Sequence, residues 1–119
     1  MGEATRQDLL EGPELSQRLA KSSDWRQVEE QSAIRRRLVF ADFRSAFSFM
    51  TEVAEKAEEL NHHPEWCNVW NRVDIVLTTH SAGGLTERDF TLAREIDRIS
   101  SKFPLVCAAD DGEACGGCV

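Results

Sequence analysis

Residues 42–64 read DFRSAFSFMTEVAEKAEELNHHP, and the fold turns on this stretch. Phe43, Ala46, Phe47, Met50, Val53, Ala54, Ala57 and Leu60 recur at spacings of three and four, the period of one helical face. Asp42 suits the N-cap and Asn61 the C-terminal cap, while Pro64 forbids continuation. A helix is therefore expected from Phe43 to about Leu60. Its aromatic and Met stripe has the period that burial requires, and is read as core.

Outward from this helix the period changes to two. On the N-terminal side, Ile34, Arg36, Leu38 and Phe40 alternate with Arg35, Arg37 and Val39, which predicts a strand, and Trp25 to Val28 predicts another. Three consecutive arginines read as a solvated sheet face or edge. Before them, Pro13 opens a short helix with Leu15, Leu19 and Ala20 on one side. On the C-terminal side, Cys67 to Trp70 and Val73 to Thr79 read as two strands, the second with Val73, Ile75, Leu77 and Thr79 on one face. Thr86 caps a further helix with Asp89 three residues on, and Phe90, Ala93, Ile96, Ile99 and Phe103 form its apolar stripe up to Pro104. The expected fold is α+β, a four-stranded antiparallel sheet with three helices packed on one face. Residues 13–106 form the domain, flanked by a mobile segment 1–12 and a mobile, acidic, Cys-containing tail 107–119.

The chain has 119 residues, enough for one domain that buries roughly two thirds of its unfolded surface. Hydrophobic residues make up 41% and charged ones 29%, which excludes disorder over the whole length. Fourteen Lys and Arg against twenty-one Asp and Glu leave a net charge of −7, so phosphate backbones and anionic membranes are repelled, and neither nucleic acid nor a membrane is an expected partner. No stretch reaches the roughly 20 apolar residues of a spanning helix, and the start lacks a secretory pattern. Neither end fits a lipidation motif, since Arg6 stands where myristoylation wants Ser or Thr. An intracellular, cytoplasmic protein with reduced thiols is expected.

The three histidines lie in two short segments, His62 with His63 after the long helix and His80 at the end of the last strand. An unperturbed imidazole pKa of about 6.5 suits proton exchange near neutrality, so clustered His beside carboxylates points to general acid and base chemistry. Glu58 precedes His62 by one helical turn, Asn61 and Pro64 flank the His pair, and Thr78, Thr79 and Ser81 surround His80 with hydroxyls. The competing readings are His side chains that merely cap carbonyls or face water, and a zinc site. The zinc reading lacks any usual ligand spacing, and adjacent residues in a regular strand point apart. Cys115 to Cys118 form half of a thiolate site, or inert thiols of a tail.

The run Glu58, three residues, His62, His63, Pro64, five residues, Trp70, nine residues, His80, eight residues, Asp89 resembles the signature of the pterin-4a-carbinolamine dehydratases. The likeness extends over roughly residues 13 to 103, including the Trp25 segment, the stretch from Asp42 to His80 and GGLTERD after it. Asn61 stands where an acidic residue is common, and Ser81 where animal members carry Glu. The resemblance implies dehydration of 4a-hydroxytetrahydropterin to quinonoid dihydropterin, recycling tetrahydrobiopterin, with no metal or organic cofactor. It implies His62 and His80 as acid and base on either side of the pterin, His63 as a binding and orienting group, and Glu58 as a carboxylate serving an imidazole. Asn61, Thr78, Thr79 and Ser81 would bond the polar ring edge, and Trp66 would wall the pocket. It further implies a homotetramer built as a dimer of dimers. The alternative role in the family is a dimerisation cofactor for a homeodomain transcription factor, with a nuclear location.

Overall fold

The computed structural model describes residues 4–28 and 32–107. Helix α1 spans Gly12–Lys21, and strands β1 and β2 span Arg26–Val28 and Ala33–Phe40. Helix α2 spans Phe43–Leu60, strands β3 and β4 span Glu65–Val69 and Arg72–Leu77, α3 spans Glu87–Ser100, and β5 spans Leu105–Cys107. The strands form one open antiparallel sheet in the order β1-β2-β4-β3, with β5 added to the far end of β2. The α+β fold is the expected one, enlarged by this fifth strand. The sequence placed Leu105 to Cys107 in or beside the tail because three residues show no period. Pairing with Val39 and Phe40 supplies what periodicity does not.

Helix α2 begins where Ser45 N–H donates to Asp42 Oδ1 at 2.8 Å, a bond that holds the Asp42 carboxyl below its ordinary range. It ends at Asn61, whose left-handed backbone (φ 54°) breaks the helical run. The core lies between the sheet face carrying Ile34, Leu38, Phe40, Val73, Ile75 and Leu77 and the helix residues Ala46, Phe49, Val53, Phe90, Leu92, Ala93, Ile96 and Ile99. The stripe read from α2 needs one correction. Phe49 is fully buried against Phe40, ring centroids 4.9 Å apart, whereas Phe43 and Phe47 stay 47% and 53% exposed and pack on each other, and Ala54 is exposed as well. A broad apolar arc is ambiguous by tens of degrees, and the sheet's position decides which edge of it is covered.

The arginine run is also corrected. β2 is an interior strand, so Arg35, Arg36 and Arg37 are not on an edge. Arg37 Nε reaches Asp74 Oδ1 at 2.6 Å and Arg35 approaches the same oxygen at 3.4 Å, while Arg36 crosses to the helix side and pairs with Asp97 of α3. Residues 4–10, expected to belong to a mobile segment, lie against the body. Ala4 is buried, Leu10 N–H donates to Leu85 O, and Leu9 bridges to Thr86. The expected tail beyond Cys107, with Cys115 and Cys118, lies outside the described residues, as do residues 1–3.

Asp97 accepts a bond from Trp25 Nε1 at 2.9 Å and pairs with Arg36. Both favour its charge, but burial outweighs them and pushes its carboxyl above the ordinary value of 3.8. The folded chain therefore holds the Asp97 proton to higher pH than the unfolded chain does. Between the two values the native state binds more protons, and this group's contribution to stability falls as pH rises. Asp97→Asn is expected to lose stability relative to the parent at low pH and to recover part of that deficit as pH climbs above about 4. Urea unfolding followed by circular dichroism from pH 3 to 7 checks the sign.

Candidate functional site

The site forms where the end of α2, the end of β4 and the start of α3 meet. After Asn61, His62 N–H bonds back to Ala57 O at 3.0 Å, a tight reversal that separates two adjacent side chains. His62 turns inward and is 8% exposed, while the His63 side chain stays 55% exposed. Beyond β4, Thr79 pairs with Gly84 and the intervening turn closes through Gly83, whose φ of +85° suits glycine. That turn carries His80 and Ser81 to the same mouth. Asn61, His62, His63, Thr78, Thr79, His80, Ser81 and Arg88 together line a cleft of about 310 Å³.

Each imidazole meets its own carboxylate. His62 Nε2 lies 2.6 Å from Asp89 Oδ1, His63 Nε2 lies 2.6 Å from Glu58 Oε2, and His80 Nε2 bonds Glu65 Oε2. The first pair is buried and the other two are exposed at the rim. Asp89 is completely buried and satisfied on both oxygens: Oδ2 accepts from Thr79 Oγ1 at 2.7 Å and from Thr86 N at 2.9 Å. Thr79 spends its single hydroxyl proton on Asp89, so the 2.9 Å contact with Thr86 Oγ1 has Thr86 as donor. With Asp89 serving as acceptor throughout, His62 donates through Nε2–H. Its Nδ1 is then the ring atom left for proton exchange.

The structure thus brings together the three histidines, Glu58, Asn61, Thr78, Thr79 and Ser81. It places two of the expected groups differently. Trp66 is paired opposite Ile75 and packs against the core instead of lining the cleft. The Thr79 hydroxyl belongs to the Asp89 network. Thr78 Oγ1 and Ser81 Oγ donate to Ser32 O and Ala4 O at 2.7 and 2.6 Å, which leaves their oxygen lone pairs as acceptors. Glu58, expected to serve an imidazole, serves that of His63.

Three groups were given no role in the site from the sequence. Asp89 was read as the capping-box residue of α3, a role it does fill, and as the end of the family signature, but its contact with His62 was not legible. Glu65 and Arg88 carried no signal, since one sits at the start of a strand and the other in the first turn of a helix. Among the described residues, no three His, Cys, Asp or Glu side chains are grouped so as to hold a metal ion, and no helix is long and apolar enough to cross a membrane.

Comparison with known proteins adds the chemistry attached to this architecture. The profile of the family described as Pterin 4 alpha carbinolamine dehydratase matches residues 8–99. A protein of Burkholderia orbicola (strain MC0-3), provisionally named a pterin-4-alpha-carbinolamine dehydratase, is 60% identical over 88 residues, covering 74% of this chain and 86% of its own length. A crystal structure described as a transcriptional coactivator/pterin dehydratase from Brucella melitensis superposes with a TM-score of 0.72 at 44% identity, covering 76% of this chain and 96% of that one. A pterin dehydratase-like protein described as a RuBisCO assembly factor in the alpha-carboxysome shares the fold alone, with a TM-score of 0.57 at 22% identity over 65% of this chain and 89% of that one.

Proposed function

The chain belongs to the pterin-4-alpha-carbinolamine dehydratase family, and from that premise we propose that it dehydrates 4a-hydroxytetrahydropterin to quinonoid dihydropterin by histidine acid and base catalysis, as a step in tetrahydrobiopterin recycling. The observation that carries this reading is the convergence of three imidazoles, each with a carboxylate on Nε2, on one polar cleft. Dehydration requires a proton on the 4a-hydroxyl, rupture of the C4a–O bond to release water, formation of C4a=N5 from the nitrogen lone pair, and loss of the N5 proton. His62 and His80 are the groups assigned to give and take those protons, one on each side of the ring. His63, held by Glu58, binds and orients the pterin. Asn61 and the acceptor oxygens of Thr78 and Ser81 bond the amino and ring N–H groups of its polar edge.

The test is dehydration of synthetic carbinolamine by the purified protein, followed by ultraviolet absorbance. Rates above the spontaneous reaction are expected, and indistinguishable rates would remove the proposal. Chelator treatment is expected to leave turnover unchanged, because the histidines are committed to carboxylates in a proton-transfer arrangement. Activity lost on chelation and restored by zinc would replace this mechanism with a metal-assisted one.

The exposed Phe43 and Phe47 support a second role for α2, as a surface for protein contact. We assign it first to self-association into a homotetramer, a dimer of dimers, with the sheet edges joining copies within each dimer. A partner of the transcription-factor type would use the same helical surface. Phe47→Glu is expected to yield a smaller species by sedimentation with an unchanged circular dichroism spectrum. An unaltered sedimentation coefficient would place the interface elsewhere.

A further inference from the structure

His80 owes little of its position to its own side chain. Its imidazole is 81% exposed, and its partner Glu65 is itself at the exposed rim. A proton-transferring group works only where it is held, so the backbone beneath it must supply the precision. That backbone is the reversal over residues 79–84, in which the N–H groups of Ala82, Gly83 and Gly84 all return to Thr79 O, at 3.0, 3.0 and 3.3 Å. A carbonyl has two lone pairs, so these donors share, and two consecutive glycines add conformational freedom. The turn is soft by itself and needs support from outside.

Residues 4–10 give that support. Ser81 Oγ donates to Ala4 O at 2.6 Å, Leu10 N–H donates to Leu85 O at 2.9 Å, and Leu9 bridges to Thr86. Leu9 leans over Gly84 so closely that a Cβ there would lie 3.1 Å from its Cδ2. The segment is also stiff for its length. Thr5 N–H donates to Asp8 Oδ2 at 2.8 Å, Gln7 N–H to Thr5 Oγ1 at 3.3 Å and Asp8 N–H to Thr5 O at 2.8 Å, which closes a single turn at Arg6–Asp8. Ala4 is seated at one end with 4% exposure, and past the other end Arg18 Nε of α1 bonds Glu87 Oε1 of α3 at 2.8 Å. None of residues 4–10 lines the cleft, and residues 4–7 precede residue 8, where the family match begins.

We propose that residues 4–10 are a positioning strap, which holds the turn over residues 79–84 and thereby fixes His80 at the cleft; its catalytic consequence rests on the proton-transfer role assigned to His80 above. Ala4 and Leu9 are its positioning residues. They touch no substrate and act through Ser81 and Gly84. Because the strap fixes a proton-transfer group and leaves the pterin-orienting His63 alone, it governs turnover more than affinity. The bond to Ala4 O also fixes the direction of the Ser81 proton, so that the cleft meets the hydroxyl as an acceptor.

The experiment uses the full-length chain with Ala4→Glu, whose long charged side chain does not fit the buried seat, and separately Leu9→Ala, which removes the contact over Gly84. The carbon-bound imidazole proton signals of His80 should move toward their positions in the urea-unfolded chain, while those of His63 stay in place. Turnover should fall about 10-fold, within the hundredfold that a 1 Å misplacement can cost, with KM changed less than about twofold. Ala4→Ser and Leu9→Met, which keep the seat and the contact, should behave as the parent. Parental His80 signals in both disruptive variants, folded by circular dichroism, would overturn the proposal, as would equal displacement of His63 and His80 or turnover that falls only in proportion to the folded fraction. A parent without dehydratase activity would remove the functional reading instead, and the His80 signals would then decide the strap by themselves.

Discussion

Removal of both His62 and His80 is expected to reduce turnover far below either single replacement. A positioned proton-transfer group is worth roughly 100-fold to 10,000-fold in rate, so each single loss should be large. The singles are softened if the remaining imidazole and solvent share the task, and the double variant has no such recourse. The two sites differ in structural cost. His80 sits at the exposed rim with Glu65, and its replacement by Ala should leave the melting temperature nearly unchanged. His62 is buried on Asp89, so His62→Ala leaves a buried carboxylate oxygen without its donor, at about 1–3 kcal/mol. His62→Gln, which retains a donor, separates the two effects: activity stays low while stability returns toward the parent. His63→Ala should raise KM at least as much as it lowers kcat, in keeping with an orienting group paired to Glu58. Steady-state kinetics with circular dichroism as a folding control reads all of these. Near-normal kinetics in a folded double variant would leave the histidines without a chemical role.

The second large effect is expected at Asp89, which touches no substrate and acts through His62. Asp89→Asn keeps the shape but presents a donor where the carboxylate accepted. In one amide orientation the NH2 faces Thr86 N–H and Thr79 O–H, which lose their shared acceptor; in the other it faces His62, whose ring is then no longer held with its proton on Nε2. Either orientation loses a charge-assisted buried bond at about 1–3 kcal/mol, so a fall in melting temperature of roughly 5 °C or more is expected for a domain of this size. Turnover should fall by about 10- to 100-fold, the usual cost of removing an outer partner that fixes an imidazole tautomer, with KM little changed. A role in folding alone would lower stability while leaving kcat per folded molecule intact. Thr79→Val, which deletes only the hydroxyl, should reproduce a smaller share of both losses.

What could be read in the chain before folding obeyed short-range rules. The limits of α2 follow from Asp42, Asn61 and a three-four period, the capping box of α3 from Thr86 and Asp89, and the faces of β4 from strict alternation. These depend on neighbours within a few residues, and they hold wherever the segment is placed. The concentration of imidazoles near Glu58 was legible for the same reason. Partner choice was not legible, because it depends on chain segments far apart in sequence. Asp89 reaches His62 across 27 positions and Glu65 reaches His80 across 15, contacts made only when α3 packs on the sheet and β3 pairs with β4. The same distinction explains why Phe49 is buried and Phe43 and Phe47 are not, and why three arginines became cross-strand and strand-to-helix ion pairs. Periodicity defines a face, but only the tertiary arrangement of sheet and helices decides what lies against it, and with it which carboxylate each histidine meets.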